Sequence, residues 1–257
     1  MSDDATQSIT DRLLAAWEGG GPAPPDLAGT VDMGRAYEIQ IEVLRRAVAG
    51  GRRHRGWKIG QTNTAMRAER GESEPAPGFL LAEDEREGGS SLELGGADDW
   101  YLEPELAVVL AAELRGPGIT AERAREAVAR VVAAFELVRR RPGWEDRALS
   151  RAVNGTTSGF VLGTGSRGCP EAAALDALPV GLACNGETKV SVRAGDVNDN
   201  PLASTAWLAN FLAPHGESLR PGQVILTGSY TPLQALRPRQ HWQATLGALG
   251  TAELDVD

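Results

Sequence analysis

Cysteine is scarce in this chain of 257 residues, and the two present, Cys169 and Cys184, are too few for a disulfide framework or a thiolate metal site. Positive charge is also in deficit. Lys and Arg total 26 against 35 Asp and Glu, a formal net charge of -9. With no basic block to offset that excess, nucleic acid and anionic membrane surfaces are excluded as natural partners. A small molecule or another protein remains. No apolar run approaches the length of a membrane span. The acidic start Met1-Ser2-Asp3-Asp4 lacks the pattern of a signal peptide, so a cytoplasmic protein is the expectation. GxGxxG, P-loop, GxSxG and HExxH motifs are missing as well.

What is present is long enough for one well-buried core, read as a single domain in which a helical part, 1–52, packs on a β-rich core, 53–257. Helical spacing of Ile9, Leu13, Leu14 and Trp17 predicts a helix over 5–18, stopped by the Gly19 to Pro25 string. A second helix fits Met33 to Ala49, with Asp32 as N-cap and Gly50-Gly51 as stop. Thr120 caps a helix expected to run to about Arg130, and Asn200-Pro201 opens one through Leu212. Alternation predicts a hairpin with Leu182 opposite Val190 and Val180 opposite Val192, closed by a three-residue loop at Asn185-Gly186. Residues 83–99 and 164–178 read as loops. Strands outnumber helices after residue 100 without regular alternation, which indicates α+β rather than a doubly wound sheet.

Three stretches carry unusual charge. Tyr101 to Leu110 is an apolar strand bearing Glu103 and Glu105 two residues apart, hence on one face, with Pro104, Leu106, Val108 and Leu110 on the other. Their repulsion must be relieved by solvent, a basic neighbour or a divalent cation. Glu136 is the one charge in Val131 to Val138, a run that fits either a strand or an extension of the helix before it. Lys58 lies between Trp57 and Ile59 in a short strand ending at Gly60-Gln61-Thr62-Asn63, and base rates favour an exposed edge for it. The run Arg139-Arg140-Arg141 reads as a solvated face.

The order of these motifs is specific. Trp57 to Asn63, Met66, the Pro75 to Leu80 turn, Glu103-Pro104-Glu105-Leu106-Ala107, Phe135-Glu136 and Asn154 to Gly163 follow one another. After them come Asn200-Pro201-Leu202, Ala206 to Asn210 and Gly222 to Ser229. Over nearly its whole length the chain resembles the 2-oxopent-4-enoate hydratase and 4-oxalocrotonate decarboxylase family of the fumarylacetoacetate hydrolase superfamily. The resemblance implies a mixed β-sandwich or β-roll core with flanking helices, and Mg2+ or Mn2+ held by Glu103, Glu105 and Glu136, the last on a strand. It implies an active-site role for Lys58, and substrate or water contacts from Gln61, Thr62, Thr156, Thr227 and Ser229. The implied reaction is hydration of a 2-hydroxy-2,4-dienoate to a 4-hydroxy-2-oxo acid, with decarboxylation of a 2-oxo-enedioate as the alternative. A homo-oligomer is expected, or a complex with a homologous hydratase or decarboxylase in which this chain serves as a non-catalytic or repurposed partner.

Three positions depart from the family pattern. Pro75-Ala76-Pro77-Gly78 stands where Pro-Asp-aromatic-Gly is usual, Ala152-Val153-Asn154 where Ala-Asp-Asn is usual, and Asn200 where His is common. Ala76 matters most, because an acid there would orient Lys58 or extend a proton relay.

Overall fold

The computed structural model describes residues 3–69, 71–95 and 99–257. Its strands in chain order are β1 (His54–Gly60), β2 (Ala76–Leu81), β3 (Glu85–Glu87), β4 (Ser90–Leu92), β5 (Trp100–Leu110), β6 (Val128–Arg139) and β7 (Thr157–Gly165). They continue as β8 (Pro179–Cys184), β9 (Glu187–Arg193), β10 (Val224–Ser229), β11 (Gln234–Ala235), β12 (Gln240–Leu246) and β13 (Thr251–Val256). One sheet has the order β2-β1-β10-β5-β6-β7-β3, with β11 also on β5; a second has the order β4-β13-β12-β8-β9. Strands and helices are mixed without βαβ alternation, so the fold is α+β.

Both faces of the larger sheet are apolar, and alternation decides which residue goes where. Leu102, Leu106, Val108 and Leu110 of β5 enter the principal core with Val131, Ala133, Phe135 and Leu137 of β6. The opposite face forms a second buried cluster from Leu80, Ala107, Val109, Val132, Ala134, Phe160, Val224 and Leu226. These come from strands that run from β2 at one end of the order to β7 near the other, so the sheet curls until its ends meet. Asn154 closes the curl. Its amide donates to the Phe79 carbonyl and its Oδ1 accepts from the Phe79 N–H, both at 3.0 Å. Each large apolar side chain fully buried in these clusters contributes roughly 1.5–3 kcal/mol by area.

Local signals hold where they were strong. Asp32 caps Met33–Ala49, accepting from Arg35 N at 2.8 Å, and Asn200 caps Pro201–Leu212. In the β8–β9 hairpin Leu182 faces Val190 and Val180 faces Val192. Its turn is the two-residue Asn185-Gly186, both at positive φ, and an irregularity after Leu182 absorbs the extra residue. The helix after Thr120 ends at Glu126, not Arg130, because β6 starts at Val128, where Leu110 and its neighbours on β5 offer a long pairing partner. The stretch 83–99, expected as loop, contains β3 and β4, which pair in parallel with β7 and β13; its residues 96–98 lie outside the described ones. Within 164–178 a short helix, Ala172–Asp176, replaces expected loop.

Candidate metal centre

The face of β5 that carries Ala107 and Val109 ends in Glu105 and Glu103. Antiparallel register then sets Glu136 of β6 opposite Glu103 and Ala134 opposite Glu105. One oxygen from each of the three glutamates lies within 4.8 Å of the others. Across the curl, Lys58 of β1 brings Nζ to 3.5 Å from Glu136 Oε1. β1 is interior to the sheet, between β2 and β10, and Lys58 is only 6% exposed, so the exposed-edge expectation fails here.

Small residues make room for this arrangement. A Cβ on Gly78 would stand 2.8 Å from Lys58 Cε and 2.6 Å from Asn154 Oδ1. Gly228, at φ +107, lets its N–H reach Glu105 Oε2 at 2.7 Å, and a Cβ there would stand 1.9 Å from Thr62 Oγ1. Thr157 Oγ1 donates to Glu136 Oε1 at 2.9 Å. Glu105 and Glu136 thus each engage one oxygen, while Oε1 of Glu105 and Oε2 of Glu136 accept no hydrogen bond from the described residues.

Burial sets the electrostatics. Loss of water, followed by the Glu136 charge, pushes the Glu103 carboxyl up to about 7, with Lys58, Arg151 and Arg140 opposing. Glu105 is driven well above the usual carboxylate range by burial first, then by Glu136 and Glu103. Fully ionised, three clustered carboxylates against one ammonium would leave two negative charges in a largely buried site, and their resistance to that state is what raises them. A hard divalent cation with all-oxygen donors fits both the charge and the donor set.

Two cavities flank the cluster. One, of about 640 Å³, is lined by Lys58, Thr156, Thr157, Asn154, Arg140 and Arg151 among others. The second, of about 650 Å³, is bounded by Glu103, Glu105, Gln61, Thr62, Ser229 and Arg140 among others. The sequence-expected residues therefore divide. Lys58 and Thr156 face one cavity. Gln61, Thr62 and Ser229 face the other, where the Thr62 hydroxyl is bonded to Asn198 Oδ1 and Ser229 Oγ to the Thr231 carbonyl. Thr227 lines neither. It is buried, and its hydroxyl donates to the Leu106 carbonyl at 2.7 Å, because strand alternation turns it away from the glutamates.

Some participants escaped the sequence reading. Thr157, one residue beyond the Thr156 singled out, makes the bond to Glu136; the hydroxyl-rich turn was visible, but not which hydroxyl points inward. The arginine run is no simple solvated face, since Arg139, Arg140 and Arg141 stack on Trp100, Tyr101 and Trp17 respectively. Of the departures, Ala76 sits in the site: a Cβ built on its partner Gly60 would meet both Ala76 Cβ, at 4.0 Å, and Lys58 Nζ, at 3.6 Å. Val153 is core, and Asn200 is a helix cap whose amide donates to Asp176 and the Ala172 carbonyl.

Residues 88–257 match the fumarylacetoacetate (FAA) hydrolase C-terminal family, and the chain belongs to that family. It is 34% identical over 224 residues to the 2-oxo-hept-4-ene-1,7-dioate hydratase of Escherichia coli, covering 84% of each chain. It is 31% identical over 223 residues to the 2-hydroxyhexa-2,4-dienoate hydratase of Comamonas testosteroni, covering 85% of this chain and 84% of that one. Among solved structures it superposes on 4-oxalocrotonate decarboxylase from Pseudomonas putida G7, complexed with magnesium and adipate, with a TM-score of 0.87 at 25% identity, over 100% of this chain and 99% of that one. With hydratases and decarboxylases as its relatives, the chain is an enzyme of the lyase class.

Proposed function

We propose that the protein is a Mg2+- or Mn2+-dependent hydratase that converts a 2-hydroxy-2,4-dienoate into a 4-hydroxy-2-oxo acid. The observation that carries this reading is the set of three glutamate oxygens within 4.8 Å, with Lys58 Nζ 3.5 Å from Glu136. Glu103, Glu105 and Glu136 would hold the cation. When bound, it supplies Lewis-acid stabilisation of negative charge developing on the 2-oxo oxygen of a chelating 2-oxo acid.

The chain's own groups supply orientation and protons. The Gly228 N–H and Thr157 hydroxyl fix Glu105 and Glu136, leaving one oxygen of each aimed elsewhere. Lys58 is anchored at Glu136 on the rim of the smaller cavity, where its Nζ would give a proton to C5 of the dienol and regain the one released by the 2-hydroxyl, leaving the conjugated 2-oxo-3-enoate. Water then adds at C4. Gln61, Thr62 and Ser229 border the second cavity; the Gln61 amide is open to the substrate carboxylate, while the Thr62 and Ser229 hydroxyls would have to leave Asn198 and the Thr231 carbonyl to donate to substrate or water. Thr156 has the same place in the first.

Ultraviolet absorbance of the dienol tests the reading. Purified protein with Mg2+ is expected to bleach 2-hydroxypenta-2,4-dienoate or its dicarboxylic counterpart 2-hydroxyhepta-2,4-diene-1,7-dioate and to stop when chelator is added; absence of metal-dependent bleaching of both removes the hydratase assignment. Ala76 favours a second reading, decarboxylation of a 2-oxo-enedioate. Loss of CO2 needs no activated water, so the missing acid beside Lys58 hinders it less. Metal-dependent CO2 release without hydration would select that reading.

A further inference from the structure

Four arginines line the cavity beside Lys58, and they are not equivalent. Arg147 is paired with Glu72, and Arg141 donates to the Trp17 carbonyl while stacking on the Trp17 ring. The guanidinium groups of Arg140 and Arg151 make no hydrogen bond and no ion pair to any described residue. Of these two, only Arg140 has its guanidinium stacked, and that residue is solvent-exposed. Arg140 lies 4.9 Å over the Tyr101 ring and borders both cavities. Arg151 is half-buried in the last turn of the helix Arg147–Ala152, and its carbonyl accepts from the buried Gln40 amide at 2.8 Å. An unpaired guanidinium in a cavity wall is a ready receptor for a carboxylate.

Charge around the centre points the same way. Ionised to hold a cation, the three glutamates and Lys58 would together carry two net negative charges, which a divalent cation cancels. Arg140 and Arg151 then add two positive charges beside that centre, on a cavity wall that also carries Glu145 and the Arg139-paired Asp99. A monocarboxylic 2-oxo acid brings one negative charge. A dicarboxylic one brings two.

We propose that Arg140 and Arg151 form a subsite for a second, distal carboxylate, so that the preferred substrate is a 2-oxo (or 2-hydroxy-dienoic) dicarboxylic acid rather than a monoacid. The chelating head occupies the glutamate cluster and the tail runs along the wall of the smaller cavity to the two guanidinium groups. The inference rests on the metal-dependent reading above for the position of the head, but its test does not require turnover.

The test is isothermal titration of the Mg2+-loaded protein with 2-oxoadipate and with 2-oxohexanoate, which share head and chain length and differ by a terminal carboxylate against a methyl. Charge-assisted pairing to arginine predicts binding of the diacid about tenfold tighter or more. Arg140→Met and Arg151→Met should each bring that ratio toward unity, and the Lys variants should retain most of it. Equal affinities in the wild type, binding of neither acid, or a ratio untouched in both Met variants overturns the proposal. A preserved, arginine-dependent ratio in a protein that turns over no dienoate would leave the subsite standing and remove the hydratase reading instead.

Discussion

Removing one of the three glutamates should stabilise the metal-free protein, and the gain should depend on pH. Burial and Glu136 raise the Glu103 carboxyl from an ordinary 4.5 to about 7. Below pH 4.5 both the folded and the unfolded chain hold this proton. Between pH 4.5 and 7 the unfolded chain has released it while the folded chain retains it, so the unfolded state binds fewer protons and stability falls as pH rises. Above pH 7 both have released it and the loss levels off, at about 3 kcal/mol from the size of the shift. Glu103→Gln removes this titration while conserving size. Urea unfolding in chelator, at pH values from 4.5 to 8, should therefore show the variant gaining on the wild type by about 3 kcal/mol across the range. The comparison cancels titrating groups remote from the cluster, while Glu105, which the Glu103 charge raises, is relieved in the variant and changes the gain in the same direction. Added Mn2+ should reverse the order, because a ligand that binds only the folded state stabilises it and the wild type binds it better. A wild-type-to-variant difference that does not change with pH, or a variant less stable than the wild type throughout in chelator, would refute the account of these carboxylates as a charged cluster waiting for a cation.

Lys58→Met should lower kcat by about 100-fold or more if the ammonium transfers protons, while calorimetry still finds Mn2+ bound; near-normal turnover would remove Lys58 from the mechanism. In Gly228→Ala the new Cβ meets Thr62 Oγ1 at 1.9 Å in a left-handed backbone. That strain, of order 1–3 kcal/mol, should disturb the N–H bond to Glu105 and appear as weakened Mn2+ affinity together with a lower Tm. Asn200→Ala should cost about 1 kcal/mol through loss of the cap on Pro201–Leu212. Metal affinity should be untouched, since Asn200 borders neither cavity, and a large loss of affinity would contradict its reading as a purely structural cap.

Where a few neighbouring residues carry the interaction, the sequence by itself was decisive. Asp32 and Asn200 cap their helices because the acceptor and the open N–H groups lie within three positions of each other. Val180, Leu182, Val190 and Val192 set the hairpin register because period-two alternation admits one apolar face. The same period placed Glu103 and Glu105 together. The ordered motifs identified the family, which in turn supplied the strand at Glu136 that a short apolar run left undecided.

Only the tertiary structure brought Glu136 opposite Glu103, across 33 residues of chain, through the β5–β6 register. Only the curl of the sheet carried Lys58, three strands from β6 in pairing order, to within 3.5 Å of Glu136. It also decided that Thr157 and not Thr156 reaches that carboxylate, that Thr227 turns away, and that Arg140 and Arg151 are left unpaired beside the centre. The physical reason is one of range. Caps, turns and alternation depend on hydrogen bonds and side-chain directions within a few residues, whereas curl and distant register follow from packing two apolar faces at once, a property of the whole chain.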